Sequence, residues 1–205
     1  MGDFIDIFCR NYGFEKEDAR VLLSQMGKTS FRKGEIIVRS GSFNDSLYIL
    51  ESGIWSGVIG GSDPDVVVWF GFGGEAVADV YCYNADKPSK LTISSETESD
   101  AFWISKTRLE ALCRNSLKIA NVVRKIFETH SYRFEDEVVW LAAKGNASDR
   151  YLALVTRNPE LVQNVPLKKI ASYLWITPQS LSRIRAALNK KESYRDAEHC
   201  SNDLI

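Results

Sequence analysis

Residues 165–188 read VPLKKIASYLWITPQSLSRIRAAL, in which apolar residues recur at helical spacing on both sides of a short interruption. Two apolar sets each have the spacing of one helix face: Leu167, Ile170, Ala171 and Leu174, then Leu181, Ile184 and Leu188. Thr177 followed by Pro178 is a strong helix start, because the Thr side chain can cap free amides and proline costs nothing at the first helical position. The stretch therefore predicts two short helices joined by a turn at Trp175 and Ile176.

The second of these helices would present polar side chains away from its apolar face. Its predicted outward residues are Gln179, Ser182, Arg183, Ala186 and Lys190. Arg can bind guanine bidentately and Gln can do so with adenine. The side chains suited to phosphate oxygens are Lys168, Lys169, Thr177, Ser180 and Arg185. The pattern favours a DNA-binding helix-turn-helix, and the alternative is an ordinary helical hairpin with a solvated basic face.

The distribution of charge supports the first interpretation. Residues 165–191 contain six Lys and Arg and no acidic residue, whereas a merely solvated face usually mixes signs. Residues 1–143 have a net charge of -5, residues 144–191 of +7 and residues 192–205 of -3, within a chain whose net charge is -1. A cationic block in a nearly neutral protein indicates a local anionic partner, and nucleic acid is the commonest one.

The bulk composition is that of a soluble globular protein of one or two domains. Hydrophobic residues make up 44% and charged residues 26% of 205 residues, and no apolar run approaches the ~20 residues that a membrane-spanning helix needs. The start of the chain does not resemble a secretory signal, and Asp6 disfavours myristoylation. The cysteines Cys9, Cys82, Cys113 and Cys200 form no CxxC pair, so we expect reduced thiols in a cytoplasmic protein rather than a metal site.

Residues 29–79 and 91–106 predict short strands. Runs rich in Ile, Val, Tyr, Trp and Phe alternate there with glycines, which is typical of an antiparallel sandwich or barrel. A helical segment precedes them over Glu15–Gln25, with Ala19, Leu22 and Leu23 on one side.

After Lys106 glycine is absent until Gly145, and apolar residues recur at helical spacing. This predicts a long helix over 107–144. Its apolar stripe either packs on the sandwich of the same chain or pairs with its copy as a short coiled coil in a homodimer, and the stripe's length favours the homodimer. A further helix is predicted over Asn146–Asn158, ended by Pro159.

Taken together, these segments resemble the Crp/Fnr family of bacterial transcription regulators. The resemblance lies in FRKGEIIVRSG (31–41), SLYILESG (46–53), FGFGGEAVAD (70–79) and, most specifically, IASYLWITPQSLSRIR (170–185). It implies an α+β chain with a double-stranded β-helix (jelly-roll) sensor domain over 1–106, a dimerisation helix over 107–144 and a DNA-binding helix-turn-helix domain over 145–191. Residues 192–205 are expected to be a disordered acidic tail.

The resemblance also implies an effector site, built here from Gly74, Glu75, Ala76, Ser89 and Lys90. Nucleotide-binding members of the family have an Arg that pairs with the cyclic phosphate, and Pro88 stands in its place here. Lys90 could supply a point charge but not the bidentate fork of a guanidinium. Losing one such partner costs ~2 to 5 kcal/mol, so cyclic AMP is not expected to bind. The prediction is an effector other than cyclic AMP, and the alternative is a pocket that binds no ligand.

The helix-turn-helix differs from the family pattern at two positions. Trp175 stands where the family usually has Gly, and a left-handed backbone there would cost ~1 to 2 kcal/mol. We therefore expect either a distorted turn or an indole that covers the domain core. Pro178 stands where members often have a polar base-reading residue, so sequence preference should differ from that of the cyclic AMP receptor.

The sequence thus predicts a cytoplasmic homodimeric transcription regulator whose partners are double-stranded DNA, a small-molecule effector and RNA polymerase, with no membrane, metal or cofactor. An enzyme is not expected, because a metal-dependent β-barrel enzyme needs His ligands and the only histidines, His130 and His199, lie outside the predicted sandwich. The alternative from another class is a β-barrel that binds a small molecule and uses its C-terminal helices only to dimerise.

Overall fold

A computed structural model describes residues 2–60, 65–143 and 145–188 of the chain. The chain divides into two compact units, Met1–Trp140 and Leu141–Ile205. The predicted acidic tail, 192–205, lies outside the described residues.

The first unit is built on two antiparallel sheets. Their strands are β1 Gly27–Phe31, β2 Ile36–Val38, β3 Leu47–Ser52, β4 Ile54–Ile59, β5 Val66–Phe72, β6 Ala76–Ala78, β7 Thr92–Ser95 and β8 Ser99–Ile104. One sheet has the order β1-β8-β3-β6 and the other β2-β7-β4-β5, and the strand pairs are antiparallel. The α+β class and the predicted double-stranded β-helix are confirmed.

The sheet β1-β8-β3-β6 is covered on both faces. Along β3, Leu47 and Ile49 contact the helices of this unit, while Tyr48 and Leu50 point to the opposite sheet. This alternation follows from the two-residue period of a strand. The space between the sheets is filled around Trp55, which is 0% exposed.

Helices pack on the outer face of this sheet. They are α1 Gly2–Tyr12, α2 Lys16–Leu23, α4 Lys106–Asn115 and α5 Leu117–Ala143, and a further helix, α3 Val80–Ala85, lies between β6 and β7. The helix predicted over 15–25 is confirmed, with Ala19, Leu22 and Leu23 buried. Helix α1 was not predicted, although Phe4, Phe8 and Tyr12 stand at four-residue intervals and are buried in the core.

The predicted long helix is present as α5, but its predicted start at 107 is wrong, because the helical stretch is interrupted at Ser116. Ser116 has an extended backbone, with φ -143° and ψ 106°. Its Oγ accepts a hydrogen bond from the N–H of Ile119 at 3.3 Å and its carbonyl accepts one from Ala120 at 2.9 Å. Ser116 therefore caps α5, since a Ser side chain at this position satisfies an amide that has no partner within the helix.

The two halves of α5 differ in burial. Ile119, Val122, Val123 and Ile126 are buried in the core formed with α1, α2 and the sheet. Further along, the exposed apolar side chains are Tyr132, Phe134, Val138 and Val139. The first half thus packs mainly on its own unit, although Leu117 at its start is exposed, and the second half has an apolar surface available to another chain.

The second unit is helical. It contains α6 Ala147–Arg157, α7 Pro159–Asn164, α8 Leu167–Tyr173 and a helix over 178–188, here α9. The helix predicted over 146–158 is confirmed, and Asn146 caps it by accepting from the N–H of Asp149 at 2.9 Å. Helix α7 was not predicted: Pro159 ends α6 but also occupies the first turn of a new helix. None of the helices described is both long enough and apolar enough to span a membrane.

Candidate nucleic-acid interface and effector site

The turn between α8 and α9 has the geometry of a left-handed helix C-terminus. The N–H of Ile176 donates to the carbonyl of Ala171 and the N–H of Trp175 to that of Ser172, both at 3.0 Å. These two bonds define a Schellman motif, whose residue after the cap is left-handed and usually Gly. Here that residue is Trp175, with φ 57°. The turn is therefore not distorted. Trp175 adopts the left-handed backbone conformation although it is unfavourable for a residue with a Cβ.

The indole of Trp175 does not cover the domain core, because the residue is 59% exposed. The core of this unit is formed by other residues: Tyr151, Leu154, Leu161, Val165, Ile170, Ala171, Tyr173, Leu174 and Leu181. Both sequence-based expectations for Trp175 are wrong, since tertiary packing keeps the left-handed turn and leaves the ring in solvent.

The start of α9 has the predicted cap. The Oγ of Thr177 accepts a hydrogen bond from the N–H of Ser180 at 3.1 Å, and the Thr177 carbonyl accepts from Leu181 at 3.0 Å. The hydroxyls of Thr177 and Ser180 also share a 2.9 Å hydrogen bond. Both hydroxyls thus serve the helix start, and Thr177 itself is exposed.

The predicted base-reading residues lie on the exposed side of α9. Gln179, Ser182 and Arg183 are exposed, while Leu181 is fully buried. Of the residues predicted to contact phosphate, Lys168 is exposed and Lys169, Ser180 and Arg185 are half-buried. The two predicted helices therefore form, and their polar residues share the surface that the sequence pattern indicates.

A half-buried arginine supports the turn from within the same unit. The guanidinium of Arg150 in α6 donates to the carbonyl of Leu174 at 3.3 Å. Leu174 is the last residue before the left-handed Trp175, so this bond holds a carbonyl that α8 leaves without a helical partner. The sequence pattern did not indicate Arg150, because the two residues are 24 positions apart.

In the first unit, the loop before β6 contains the predicted effector contacts Gly74 and Glu75, and the predicted contact Ala76 begins the strand. Gly74 has φ 83°, and a Cβ there would lie 2.4 Å from the side chain of Ile7. Its carbonyl accepts a hydrogen bond from the side-chain amide of Asn11 at 2.8 Å. Only glycine fits this contact, and α1 holds the loop directly.

Glu75 is bonded within the chain at both carboxylate oxygens. One oxygen accepts from the N–H of Phe72 at 3.0 Å, and the other accepts from the guanidinium of Arg133 in α5, also at 3.0 Å. Arg133 in turn lies over the ring of Tyr12, 5.4 Å from its centroid. The carboxylate that would meet an effector hydroxyl is thus already paired with a cation.

The phenol of Tyr12 is hydrogen-bonded to the backbone amide of the residue after Glu75. Its oxygen accepts from the N–H of Ala76 at 2.7 Å. Burial raises the pKa of Tyr12 to about 12, so the ring is neutral near pH 7. Asn11, Tyr12 and Arg133 were not predicted as members of this site, because α1 was not expected and Arg133 lies 58 residues from Glu75.

The remaining two predicted effector residues also have partners in the chain. The buried Ser89 hydroxyl contacts the Asp79 carboxylate and accepts from the N–H of Leu91 at 3.0 Å. Asp79 in turn accepts from the N–H groups of Tyr81 and Cys82 at the start of α3. The ammonium of exposed Lys90 lies 5.1 Å from the ring centroid of Tyr81. An effector role for Gly74, Glu75, Ala76, Ser89 and Lys90 stays a prediction.

The interior of the sheet pair is filled by aromatic rings. Trp55 makes edge contacts with Phe31 and Tyr48, at centroid distances of 5.2 and 5.4 Å. Its indole N–H donates to the hydroxyl of Ser99 at 2.8 Å. The space between the sheets around β4 is therefore packed with the protein's own side chains.

Metal chemistry has no support among the residues described. No group of three or more His, Cys, Asp or Glu within them could hold a metal ion. Cys9 and Cys82 are buried free thiols and Cys113 is half-buried, and burial raises the pKa of all three. Each is therefore protonated at neutral pH and a poor metal ligand.

The fold and these sites define a class: a domain of two antiparallel sheets followed by a long helix, and a helical unit with two helices joined by a tight turn. Comparison with known proteins shows what the chain is similar to. Residues 28–116 match the cyclic nucleotide-binding domain family. No curated protein matches the chain by sequence.

Solved structures share the fold over most of the chain. FixK2 from Bradyrhizobium japonicum has 18% identity and a TM-score of 0.64, and the match covers 82% of this chain and 86% of FixK2. CLP from Xanthomonas campestris, described as a c-di-GMP responsive global regulator, has 17% identity and a TM-score of 0.64, with 87% and 93% covered. A cyclic nucleotide-binding domain from Methylobacillus flagellatus has 15% identity and a TM-score of 0.59, with 70% and 85% covered.

These findings confirm the resemblance to the Crp/Fnr family. Residues 28–116 are similar to the cyclic nucleotide-binding domain family, and the chain shares its fold with FixK2 and CLP.

Proposed function

We propose that this protein is a cytoplasmic, homodimeric transcription regulator that binds DNA sequence-specifically through α9. The observation that carries the proposal is the exposed set Gln179, Ser182 and Arg183 on a capped helix, within a 27-residue segment that has six cationic and no acidic residues. Arg and Gln side chains on one helix face can bond base edges in the major groove, and the cationic residues around them suit phosphates.

The proposed DNA contacts divide into two groups. Gln179, Ser182 and Arg183 would read bases, while Lys168, Lys169, Thr177, Ser180 and Arg185 would hold phosphate oxygens. Thr177 and Ser180 would do so from the capped start of α9, where free amides and the helix dipole favour negative charge.

The proposed dimer interface is the second half of α5. Phe134, Val138 and Val139 are exposed there, while the first half of the helix is already buried in its own unit. Burying this apolar surface against a second copy would remove it from water. Two copies related by a twofold axis would meet half-sites ~34 Å apart, so the operator should be close to palindromic.

The test is selection from random duplexes followed by gel shifts of the full chain at low salt. We expect enrichment of an inverted repeat and binding by a dimer. Absence of any sequence preference would overturn the proposal, and would favour the alternative of a small-molecule-binding barrel whose terminal helices only dimerise.

For regulation we propose that the sensor does not respond to cyclic nucleotides. Glu75 is paired with Arg133, Ser89 with Asp79, and Pro88 stands where an Arg would grip a cyclic phosphate. A nucleotide would have to displace these internal bonds and supply replacements. Two alternatives remain for the pocket: it binds an effector of another class, or it binds no ligand. These internal bonds favour the second alternative. The protein would then be controlled by a protein partner such as RNA polymerase.

Calorimetry with cyclic AMP and cyclic GMP tests this part separately. We expect no heat of binding for either. Micromolar affinity for one of them would overturn the argument from Pro88 and leave the DNA-binding proposal untouched.

A further inference from the structure

Trp175 combines two features that are costly for the isolated protein. Its backbone is left-handed, a conformation that Gly adopts freely and that side chains with a Cβ resist. Its large apolar ring is 59% exposed, so folding removes less than half of it from water. A strained residue that contributes little stability to its own fold is a candidate for an interaction with another molecule.

The surroundings of Trp175 indicate what it contacts. It lies two residues before Thr177, the cap of α9, and four before the exposed Gln179. The segment around it, 165–188, contains four cationic residues and no acidic one. The turn is therefore next to the cationic surface of α9, and an anionic polymer that meets this surface would run close to the ring.

The chemistry of the indole fits the backbone of a nucleic acid. Its N–H can only donate a hydrogen bond, and phosphate oxygens only accept. Its ring offers an apolar face to the sugar. Neither contact depends on which base is present.

We propose that Trp175 docks on the sugar–phosphate backbone of DNA at the edge of the groove entered by α9, with the indole N–H donating to a phosphate oxygen. This inference rests on the proposed DNA-binding function and adds a contact that fixes the start of α9 without reading sequence.

The test compares Trp175→Gly, Trp175→Phe and Arg183→Ala in the full chain, using fluorescence anisotropy on the selected duplex and on a scrambled one. We expect Trp175→Gly to weaken binding to both duplexes by a similar factor, ~10-fold, because Trp is enriched among the few interface residues whose truncation costs that much or more. Trp175→Phe keeps the ring and loses the N–H, so we expect a smaller loss of ~3-fold, as for one hydrogen bond. Arg183→Ala should instead lower the ratio between the two duplexes.

The unfolding temperature of the variants distinguishes a DNA contact by Trp175 from a purely structural role. Gly suits the left-handed position, so Trp175→Gly should unfold at a temperature equal to or above that of the wild type, and Trp175→Asn, which also tolerates this conformation, should behave alike. Trp103→Phe is the matched control, because Trp103 is also exposed (42%) but lies in the first unit, and it should leave DNA binding unchanged.

The outcomes are distinct. If the wild type has no sequence preference, the proposed function fails. If the wild type has a preference that Arg183→Ala reduces, but Trp175→Gly and Trp175→Asn bind as the wild type does, only this inference is overturned. Normal DNA binding by Trp175→Gly together with lost regulation of transcription would also overturn it, and would assign the indole to a protein partner.

Discussion

The loop around Glu75 and the start of α9 contain similar polar chemistry but use it in opposite ways. At the loop, the carboxylate of Glu75 is bonded to Arg133 and the adjacent amide to Tyr12. At α9, Gln179 and Arg183 are exposed. In the first region the polar groups bond to partners within the same unit, and the second region presents its polar groups to solvent.

The difference comes from what packs on each region. Helices α1 and α5 lie against the loop and supply Asn11, Tyr12 and Arg133 as partners. On α9, Leu181 alone is fully buried, and the side chains on the other face remain outside the core. Polar residues become structural where a neighbouring element can satisfy them, because a buried polar group without a hydrogen bond is costly.

The largest expected effect tests whether the space between the two sheets of the first unit is filled. Trp55→Ala should lower the free energy of unfolding of the first unit by about 3 to 5 kcal/mol, as large-to-small core substitutions do. Urea unfolding of the full chain, followed by near-ultraviolet circular dichroism, measures this loss. Trp103→Ala, at a partly exposed tryptophan, should cost less than half as much, and equal losses would contradict the difference in burial.

The next effect tests the outward face of α9. Arg183→Ala should weaken binding to the selected operator by about 1 to 3 kcal/mol and relax the preference at one base pair. Lys168→Ala is the control. Loss of an exposed phosphate contact should weaken binding to all sequences alike and reduce the salt dependence of binding by about one ion. Competition gel shifts at several salt concentrations distinguish them, and identical behaviour of the two variants would refute a base-reading role.

A third prediction concerns pH and the inward-facing region. Burial raises the pKa of Tyr12 to about 12 and that of Tyr83 to about 12, above the ordinary value of 10. The folded state therefore favours the protonated phenols, so their contribution is complete below pH 10 and is lost as the pH rises towards 12. We expect the unfolding free energy to fall in this range by up to about 1.4 kcal/mol per pH unit for each tyrosine.

The variant Tyr12→Phe shows how much of this pH dependence of the unfolding free energy comes from Tyr12. It should be less stable at pH 7, because the N–H of Ala76 loses its acceptor, and its stability should depend less on pH between 10 and 12. Urea titrations at fixed pH values measure both effects. An unchanged slope in Tyr12→Phe would mean that Tyr12 does not titrate with folding.

The smallest effect concerns the ion pair of Glu75 and Arg133. A double-mutant cycle with Glu75→Gln and Arg133→Gln should give a coupling energy of about 0.5 to 1 kcal/mol, since both side chains are partly exposed. The pair Arg124–Glu128 on the same helix is the control, at 2.6 Å but more exposed. Its coupling should be no more than about 0.5 kcal/mol. If the coupling energy of Glu75 with Arg133 is no larger than that of Glu128 with Arg124, the Glu75–Arg133 pair does not contribute specifically to the fold.

How far the sequence could predict the molecule depended on the range of the interaction. The strands, the helix over 15–25 and the cap of α9 follow from residue periods and from a Thr-Pro pair, so local patterns predicted them. Ser116 was missed because the helical pattern continues across it in sequence, whereas the cap is visible only from its hydrogen bond to Ile119. The partners of Glu75 could not be predicted, since a carboxylate beside a glycine turn is compatible with a ligand or with a distant arginine.

By itself, the sequence determined the class of fold and which face of α9 is polar, because both depend on the spacing of apolar residues along one element. Only the tertiary structure decided that Arg133 and Tyr12 meet the loop at Glu75 and Ala76, and that the ring of Trp175 stays exposed above a left-handed turn. Such pairings join residues far apart in the chain, and the orientation of a single ring depends on every side chain packed around it. Local spacing carries neither kind of information.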